Sequence, residues 1–123
     1  MPRVFVYGEA LPGGADAGWF AGLPASPASA RGSLWVRQGR PGLLPDPRQP
    51  HVAGWIVEVP QPRMGVLDAL EGGNGLVRRN VTVRVEGRGL DAESWVLERA
   101  PGPRQGWRRL KAPGWSSMKP SGS

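Results

Sequence analysis

Glu71 is the residue of this 123-residue chain whose position most clearly asks for a chemical explanation. A helix is predicted to begin at Pro62, continue through Leu70 and stop at Gly72-Gly73, because proline is favoured in a first turn and glycine ends helices. On a helical wheel Glu71 falls inside the apolar arc, where an ionised carboxylate is costly unless it is paired, hydrogen-bonded or protonated. The helix C-terminus also disfavours negative charge, so the position favours a group that exchanges protons. The arc comprises Met64, Val66, Leu67 and Leu70.

Two structural interpretations compete with a role in proton transfer. The helix can end one residue earlier and turn Glu71 toward solvent, or Glu71 can pair with Arg78 or Arg79. Helix ends are uncertain by a few residues when only the sequence is considered. The residues alone therefore leave the catalytic and structural interpretations equally weighted.

Other kinds of reactive site are poorly represented in the sequence. There is no cysteine, which excludes disulfides, thiolate metal sites and a cysteine nucleophile. His51 is the only histidine, and we expect it at the surface at the start of a strand. The loop at Gly13-Gly14 lacks the spacing and the lysine of a P-loop. We accordingly expect neither a bound metal nor a cofactor.

The net charge of +6 comes from the C-terminal fifth of the chain. Residues 1–98 contain ten arginines and ten acidic residues, whereas residues 99–123 contain six basic residues and no acid. The segment 104–111 combines cations with Trp107, a combination that can bind single-stranded nucleic acid or an acidic partner. A solvated terminal segment is the favoured interpretation, so we expect no specific nucleic-acid partner.

The remaining pattern predicts a sheet with one main helix. The apolar run Val4–Tyr7 is typical of a buried strand that leads into a glycine-rich loop, and Val81, Val83 and Val85 alternate with polar residues as in a half-buried strand. We predict an α+β fold with a small curved sheet or barrel, one domain over residues 1–115 and a flexible tail over 116–123. Further strands are predicted over 29–37, 51–59, 76–86 and 92–98, with 38–50 as a long loop without regular structure.

The N-terminal sequence has no apolar run of the length that a signal peptide or a membrane span needs. Together with the lack of cysteine, this predicts a soluble cytoplasmic protein that does not associate with membranes.

Several motifs, in order, resemble landmarks of the γ-glutamylcyclotransferase-like family, which includes γ-glutamylamine cyclotransferases and AIG2-like proteins. The opening strand and its loop resemble the family's substrate loop, and the helix end resembles its leucine-Asp-x-x-Glu-Gly element. The resemblance covers about residues 3–97, with a further similarity at Gly114-Trp115. The matching stretches are Val4–Gly8, Leu11–Gly13, Gly32–Trp35, Pro41–Leu43, Val52–Gly54, Leu67–Gly72 and Arg79 leading into Val81 and Val83.

The resemblance implies a small barrel and an amine-releasing, lyase-type acyl transfer that needs no metal or cofactor. The α-amino group of a γ-glutamyl substrate would attack its own γ-carbonyl, close 5-oxoproline and expel an amine or amino acid. Carried over by position, Glu71 is the acid/base. The implied substrate-binding residues are Tyr7, Gly8, Glu9, Ala10, Leu11 and Trp35.

Glu9 and Ala10 depart from the family pattern, which has small or hydroxyl residues after Tyr-Gly, and Val77 stands where an aromatic residue is common. A carboxylate at position 9 would repel an anionic γ-glutamyl group if it pointed into the pocket. The alternatives to an enzyme are a non-catalytic small-ligand binding module on the same scaffold, or an adaptor that uses the basic C-terminal segment.

Overall fold

The computed structural model describes residues 2–8, 20 and 22–110. Seven strands and one α-helix occur in this part of the chain, together with a short 3-10 helix at Pro103–Gln105. The elements are β1 (Arg3–Val6), β2 (Ala25–Arg37), β3 (Arg40–Pro45), β4 (His51–Glu58), α1 (Gln61–Gly72), β5 (Val77–Val85), β6 (Arg88–Val96) and β7 (Arg108–Arg109).

Five of these strands close into a barrel. β1 pairs with β4 in antiparallel and with β6 in parallel, β6 pairs with β5, and β4 pairs with the first half of β2. The ring is completed where β2 meets β5, at Ser29↔Arg84 and Ala30↔Val83. One helix beside a small closed barrel confirms the predicted α+β class.

β2 is long enough to serve two ladders. After Arg31 it leaves the barrel and pairs with β3 from Gly32 to Arg37, and β7 adds to its far end. The prediction that residues 38–50 lack regular structure is therefore wrong for Arg40–Pro45. β3 lies at the end of the sheet order, and an edge strand tolerates prolines such as Pro41 and Pro45 that a central strand would exclude.

β1 is buried on both faces, which explains its uninterrupted apolar sequence. Phe5 and Tyr7 pack in one apolar cluster with β2, β4, β5 and β6, whereas Val4 and Val6 pack in a second cluster that also receives α1. β5 shows the predicted alternation, with Val81 and Val83 buried. The chain therefore places β1 between the barrel interior and the helix.

α1 agrees with its predicted position but presents a narrower apolar face. It begins at Gln61 after Pro60 and includes Pro62 in its first turn, as expected for proline. Met64 and Leu67 are buried in the second cluster, but Val66 is 53% exposed, so its assignment to the buried arc was wrong.

Two strands begin earlier than predicted, and the other boundaries of the predicted strands agree within two residues. β2 begins at Ala25 and β6 at Arg88, each four residues before the predicted start, because both strands pair along their whole added length. Residues 116–123 lie outside the described residues, so the division into a domain over 1–115 and a tail stays a prediction. Within the described ranges, no helix has the length and apolar character that crossing a bilayer requires.

Candidate active site

A pocket lies between the C-terminal half of α1, the end of β1 and the start of β3. Its apolar wall comes from both clusters and surrounds a smaller set of polar groups, an arrangement typical of small-molecule sites. The apolar residues are Phe5, Val6, Phe20, Pro41, Leu67, Leu70 and Leu76, and the residues with polar groups are Tyr7, Arg40, Glu71, Asn74, Ser94 and Trp95.

Glu71 lies in the last turn of α1 and is half-buried in the pocket wall. The helix continues through Gly72, so the interpretation in which it ends before Glu71 is wrong. The Glu71 carbonyl accepts hydrogen bonds from the amides of Asn74 (3.0 Å) and Leu76 (3.1 Å), which fixes the turn that follows. The helix end and this turn together hold the carboxylate at the pocket.

The second structural interpretation was that Glu71 pairs with Arg78 or Arg79. The ion pairs described for these two arginines are with other carboxylates. Arg78 approaches Asp68 at 3.3 Å and Glu93 at 3.8 Å. Arg79 pairs with Glu98 on the surface. Both guanidinium groups therefore have other carboxylate partners.

Tyr7 lines the pocket, and its hydroxyl is hydrogen-bonded to the main chain on two sides. The hydroxyl donates to the Trp95 carbonyl (2.6 Å) and accepts from the Leu43 amide (2.9 Å). Burial raises the pKa of the Tyr7 hydroxyl well above its ordinary value, the Leu43 hydrogen bond lowers it in part, and the charge of Glu71 raises it further. Tyr7 therefore stays protonated and is poorly suited to proton exchange.

Gly8 follows Tyr7 at a point where only glycine fits. Its φ of +63° lies in the left-handed region, and a Cβ atom there would lie 2.2 Å from Cγ of Pro41. Gly8 can therefore pack directly on Pro41, which itself lines the pocket. This close approach is the structural reason for the Tyr-Gly pair.

Asp68 connects α1 to the opposite wall of the pocket. Its Oδ1 accepts a hydrogen bond from Nε1 of Trp95 (2.8 Å), and its Oδ2 lies 3.3 Å from Arg78, which also approaches Glu93. Trp95 lines the same pocket as Glu71. Asp68 thus fixes the distance between the helix and β6, a role that sequence reasoning missed although the residue stands in the quoted helix motif.

Arg40 and Asn74 are further pocket residues that sequence reasoning missed. Arg40 begins β3, within the stretch that was predicted to be irregular. The Asn74 carbonyl accepts a hydrogen bond from Arg37 (2.7 Å), whose guanidinium also stacks over the ring of Trp107 at 4.6 Å. The turn after α1 is thereby tied to β2 and to the C-terminal part of the described chain.

The predicted site residues divide into three groups. Glu71 and Tyr7 line one pocket, and Gly8 adjoins it through Pro41. Trp35 is not among the lining residues described, and its indole donates instead to Oγ of Ser33 (2.9 Å). The remaining three positions, Glu9, Ala10 and Leu11, lie outside the described residues.

No group of three or more potential metal-ligating side chains occurs in the part of the chain that the structure describes. Among the described residues, the polar groups of the pocket are one carboxylate, one guanidinium and neutral groups, a set that suits an organic substrate with charged ends and a proton to exchange.

Comparisons with known proteins agree with this geometry. The family model for "Gamma-glutamyl cyclotransferase, AIG2-like" proteins matches residues 4–117. No curated protein sequence matches the chain.

Similar solved structures show the same fold at low sequence identity. YkqA from Bacillus subtilis has a TM-score of 0.72 and 17% identity over 94% of this chain and 40% of that one, so this chain spans less than half of YkqA. The uncharacterized protein PH0828 from Pyrococcus horikoshii has a TM-score of 0.69 and 18% identity, covering 96% and 92% of the two chains. An AIG2-like protein (GGACT) from Mus musculus has a TM-score of 0.64 and 21% identity, covering 82% and 80%.

Proposed function

The chain belongs to the γ-glutamyl cyclotransferase, AIG2-like family, and we propose that it is an enzyme that releases 5-oxoproline from a γ-glutamyl amine or peptide. The reaction is an intramolecular acyl transfer with a lyase-type outcome. The substrate's α-amino nitrogen forms a bond to its γ-carbonyl carbon, and the amide bond to the leaving nitrogen breaks. No external nucleophile, metal or cofactor is required for the atoms to balance.

Glu71 is the proposed acid/base. As a carboxylate it takes a proton from the α-ammonium group, which makes the nitrogen nucleophilic, and it then returns a proton to the leaving amine. The pocket holds the two reacting parts of one molecule together, which replaces an encounter between two molecules. The backbone amide of Gly8, which adjoins the pocket through Pro41, is the proposed donor to the developing oxyanion.

Arg40 is the proposed partner for the substrate's α-carboxylate. It is the cationic side chain among the residues described around the pocket, and guanidinium groups bind carboxylates in two-point geometry. Tyr7 serves as a wall whose hydroxyl is committed to Trp95 and Leu43.

The observation that carries the proposal is the position of Glu71 in a largely apolar pocket beside Tyr7. Arg78 and Arg79 contact other carboxylates, Asp68 and Glu93 for the first and Glu98 for the second. The small-molecule substrate and the cytoplasmic location stay predictions.

Incubation of the protein with a panel of γ-glutamyl amines and dipeptides, followed by chromatographic detection of 5-oxoproline, tests the proposal. The matched control is the same compound acetylated on its α-nitrogen, which cannot act as a nucleophile. We expect 5-oxoproline and the free amine in equal amounts from the first compound and neither from the second. Amine release from the acetylated compound would instead indicate hydrolysis, and binding without product across the panel would favour the non-catalytic binding module.

A further inference from the structure

A second cavity, of about 450 Å³, lies where β2 leaves the barrel, and it shares no lining residue with the Glu71 pocket. β2 pairs with β5 only at Ser29↔Arg84 and Ala30↔Val83, and it then pairs with β3 from Gly32 onward. The diverging strands leave a gap that the turn after β3 borders. Its volume is in the range of small-molecule sites.

Two arginines give this cavity unbalanced positive charge. Arg31 on β2 and Arg84 on β5 both line it. Arg31 donates a hydrogen bond to the Gln49 carbonyl (3.2 Å), and among the described residues no carboxylate lies within 4.0 Å of either guanidinium. Two neighbouring cations without counter-charge favour a bound anion.

Asp46, the carboxylate in the wall, is already engaged. Its two oxygens accept hydrogen bonds from the side chain of Arg48, and Oδ1 also accepts from the Arg48 amide (3.0 Å). These bonds hold the pKa of Asp46 below its usual value, so it remains ionised and locally neutralised by Arg48. The charge of Arg31 and Arg84 is thus not cancelled within the cavity.

His51 adds an unmet hydrogen-bonding group. It begins β4 as predicted, but it is half-buried rather than exposed at the surface. Its Nδ1 lies 3.0 Å from Oγ of Ser29, while its Nε2 is buried without a partner in the described structure. Burial, and then the charges of Arg31 and Arg84, lower the pKa of His51, which favours the neutral ring. An anion bound beside the two arginines would offset their charge and raise this pKa.

β5 supplies neutral donors on the same face as Arg84. Because strand side chains alternate, Asn80 and Thr82 point outward together with Arg84, while Val81 and Val83 enter the core. An amide and a hydroxyl therefore stand beside the guanidinium. Such a mixture of charged and neutral donors suits a group with several acceptor oxygens.

We propose that this cavity binds a small molecule through a doubly charged phosphate group, held by Arg31 and Arg84, with Thr82 and His51 as further donors. Two guanidinium groups balance the charge of a dianion and leave a monoanion's site with an excess positive charge, so they favour the doubly charged ligand. The site is independent of the proposed cyclotransferase reaction, so its failure leaves that proposal unaffected.

His51 provides a direct probe, because the sequence contains one histidine and the ring signals therefore need no assignment. Inorganic phosphate is titrated into the full chain at constant ionic strength near neutral pH, and the His51 ring resonances are followed by NMR. We expect a saturable shift and, in the phosphate-bound protein, a higher His51 pKa than in the free protein. Acetate under the same conditions should shift the resonances weakly and without saturation.

Arg31→Gln and Arg84→Gln test the assignment of the ligand-binding residues, and Arg88→Gln is the matched control. Arg88 is an exposed arginine at the start of β6 that does not line the cavity. Each cavity variant should bind phosphate at least about tenfold more weakly, whereas the control should bind like the wild type. A non-saturating phosphate titration, equal responses to acetate and phosphate, or equal weakening in all three variants would overturn the proposal.

Discussion

At the scale of single residues, the Tyr7 hydroxyl has a structural role in the pocket, whereas the proposed proton exchange is assigned to Glu71. It lies at the pocket, but it donates a hydrogen bond to the Trp95 carbonyl and accepts one from the Leu43 amide. Its pKa is raised by burial, opposite to what a proton-exchanging group needs. Glu71, in the same wall, is the residue to which the proposal assigns the proton exchange.

Tyr7→Phe should therefore lower stability more than activity. The substitution removes the two buried hydrogen bonds that the hydroxyl makes with the Leu43 amide and the Trp95 carbonyl, which costs about 1–3 kcal/mol. Urea unfolding should show this loss, while kcat for 5-oxoproline release should fall less than about tenfold. A fall of kcat by orders of magnitude at unchanged stability would assign the hydroxyl to the chemistry.

Gly8→Ala tests the close approach between Gly8 and Pro41 of β3. The left-handed backbone alone costs an alanine about 1–2 kcal/mol, and the clash with Pro41 adds about 1–3 kcal/mol. Gly39→Ala is the matched control, since Gly39 has a φ of +76° and nothing within 4 Å of its Cβ position. Gly8→Ala should lower the free energy of unfolding more than Gly39→Ala does, and equal losses would contradict the packing on Pro41.

At the scale of elements, the pocket depends on how α1 is held against β6. Met64 and Leu67 supply the apolar contact, but apolar packing alone does not fix the position of a helix along its axis. The bond from Trp95 to Asp68, reinforced by Arg78, provides that directional contact. It connects the element that carries Glu71 to the opposite wall.

Asp68→Ala should cost about 1–2 kcal/mol, because the partly buried Trp95 indole loses its acceptor. Asp68 and Arg78 are more than a third and about a third exposed, so their ion pair adds little. Glu98→Ala, which breaks the surface pair with Arg79, is the control and should change stability by less than about 1 kcal/mol. Urea midpoints compare the two, and a greater loss in Glu98→Ala would contradict the assigned role of Asp68.

Elements with a strong local signal could be predicted from the sequence. The helix ending at Gly72, the alternating strand around Val81 and Val83, and the buried run of β1 all follow from periodicity and from glycine and proline positions. Glu71 was singled out because its charge contradicts the apolar arc, and it lines the pocket, while its catalytic role stays a prediction. These features are local, and the structure retains them.

Features that depend on distant parts of the chain could not be predicted. The prolines of β3 are typical of irregular structure, so this edge strand was not predicted. Arg40, its first residue, was therefore not predicted to line the pocket. Val66 fits the helical arc, but the sheet covers only the sector of Met64 and Leu67. The cavity at Arg31 and Arg84 depends on where β2 leaves β5, which no local pattern encodes.

At the scale of the whole molecule, barrel closure assembles the pocket. The parallel pairing of β1 with β6 and the long β2 bring residues from positions 5 to 95 to one wall. The same closure leaves the second cavity at the place where β2 changes ladders. One small fold thus presents the Glu71 pocket at α1 and a separate, arginine-lined cavity at β5.

Release of 5-oxoproline by Glu71→Gln, measured beside the unfolding free energy of the same variant, tests the central claim most directly. Glutamine keeps the volume of the side chain but cannot exchange a proton, so turnover should fall by about 10²-fold or more while stability is unchanged or slightly higher. Glu58→Gln, which removes an exposed carboxylate of β4 outside the pocket, is the matched control and should match the wild type in turnover. Unchanged turnover with lowered stability in Glu71→Gln would show that Glu71 is structural and would contradict the account.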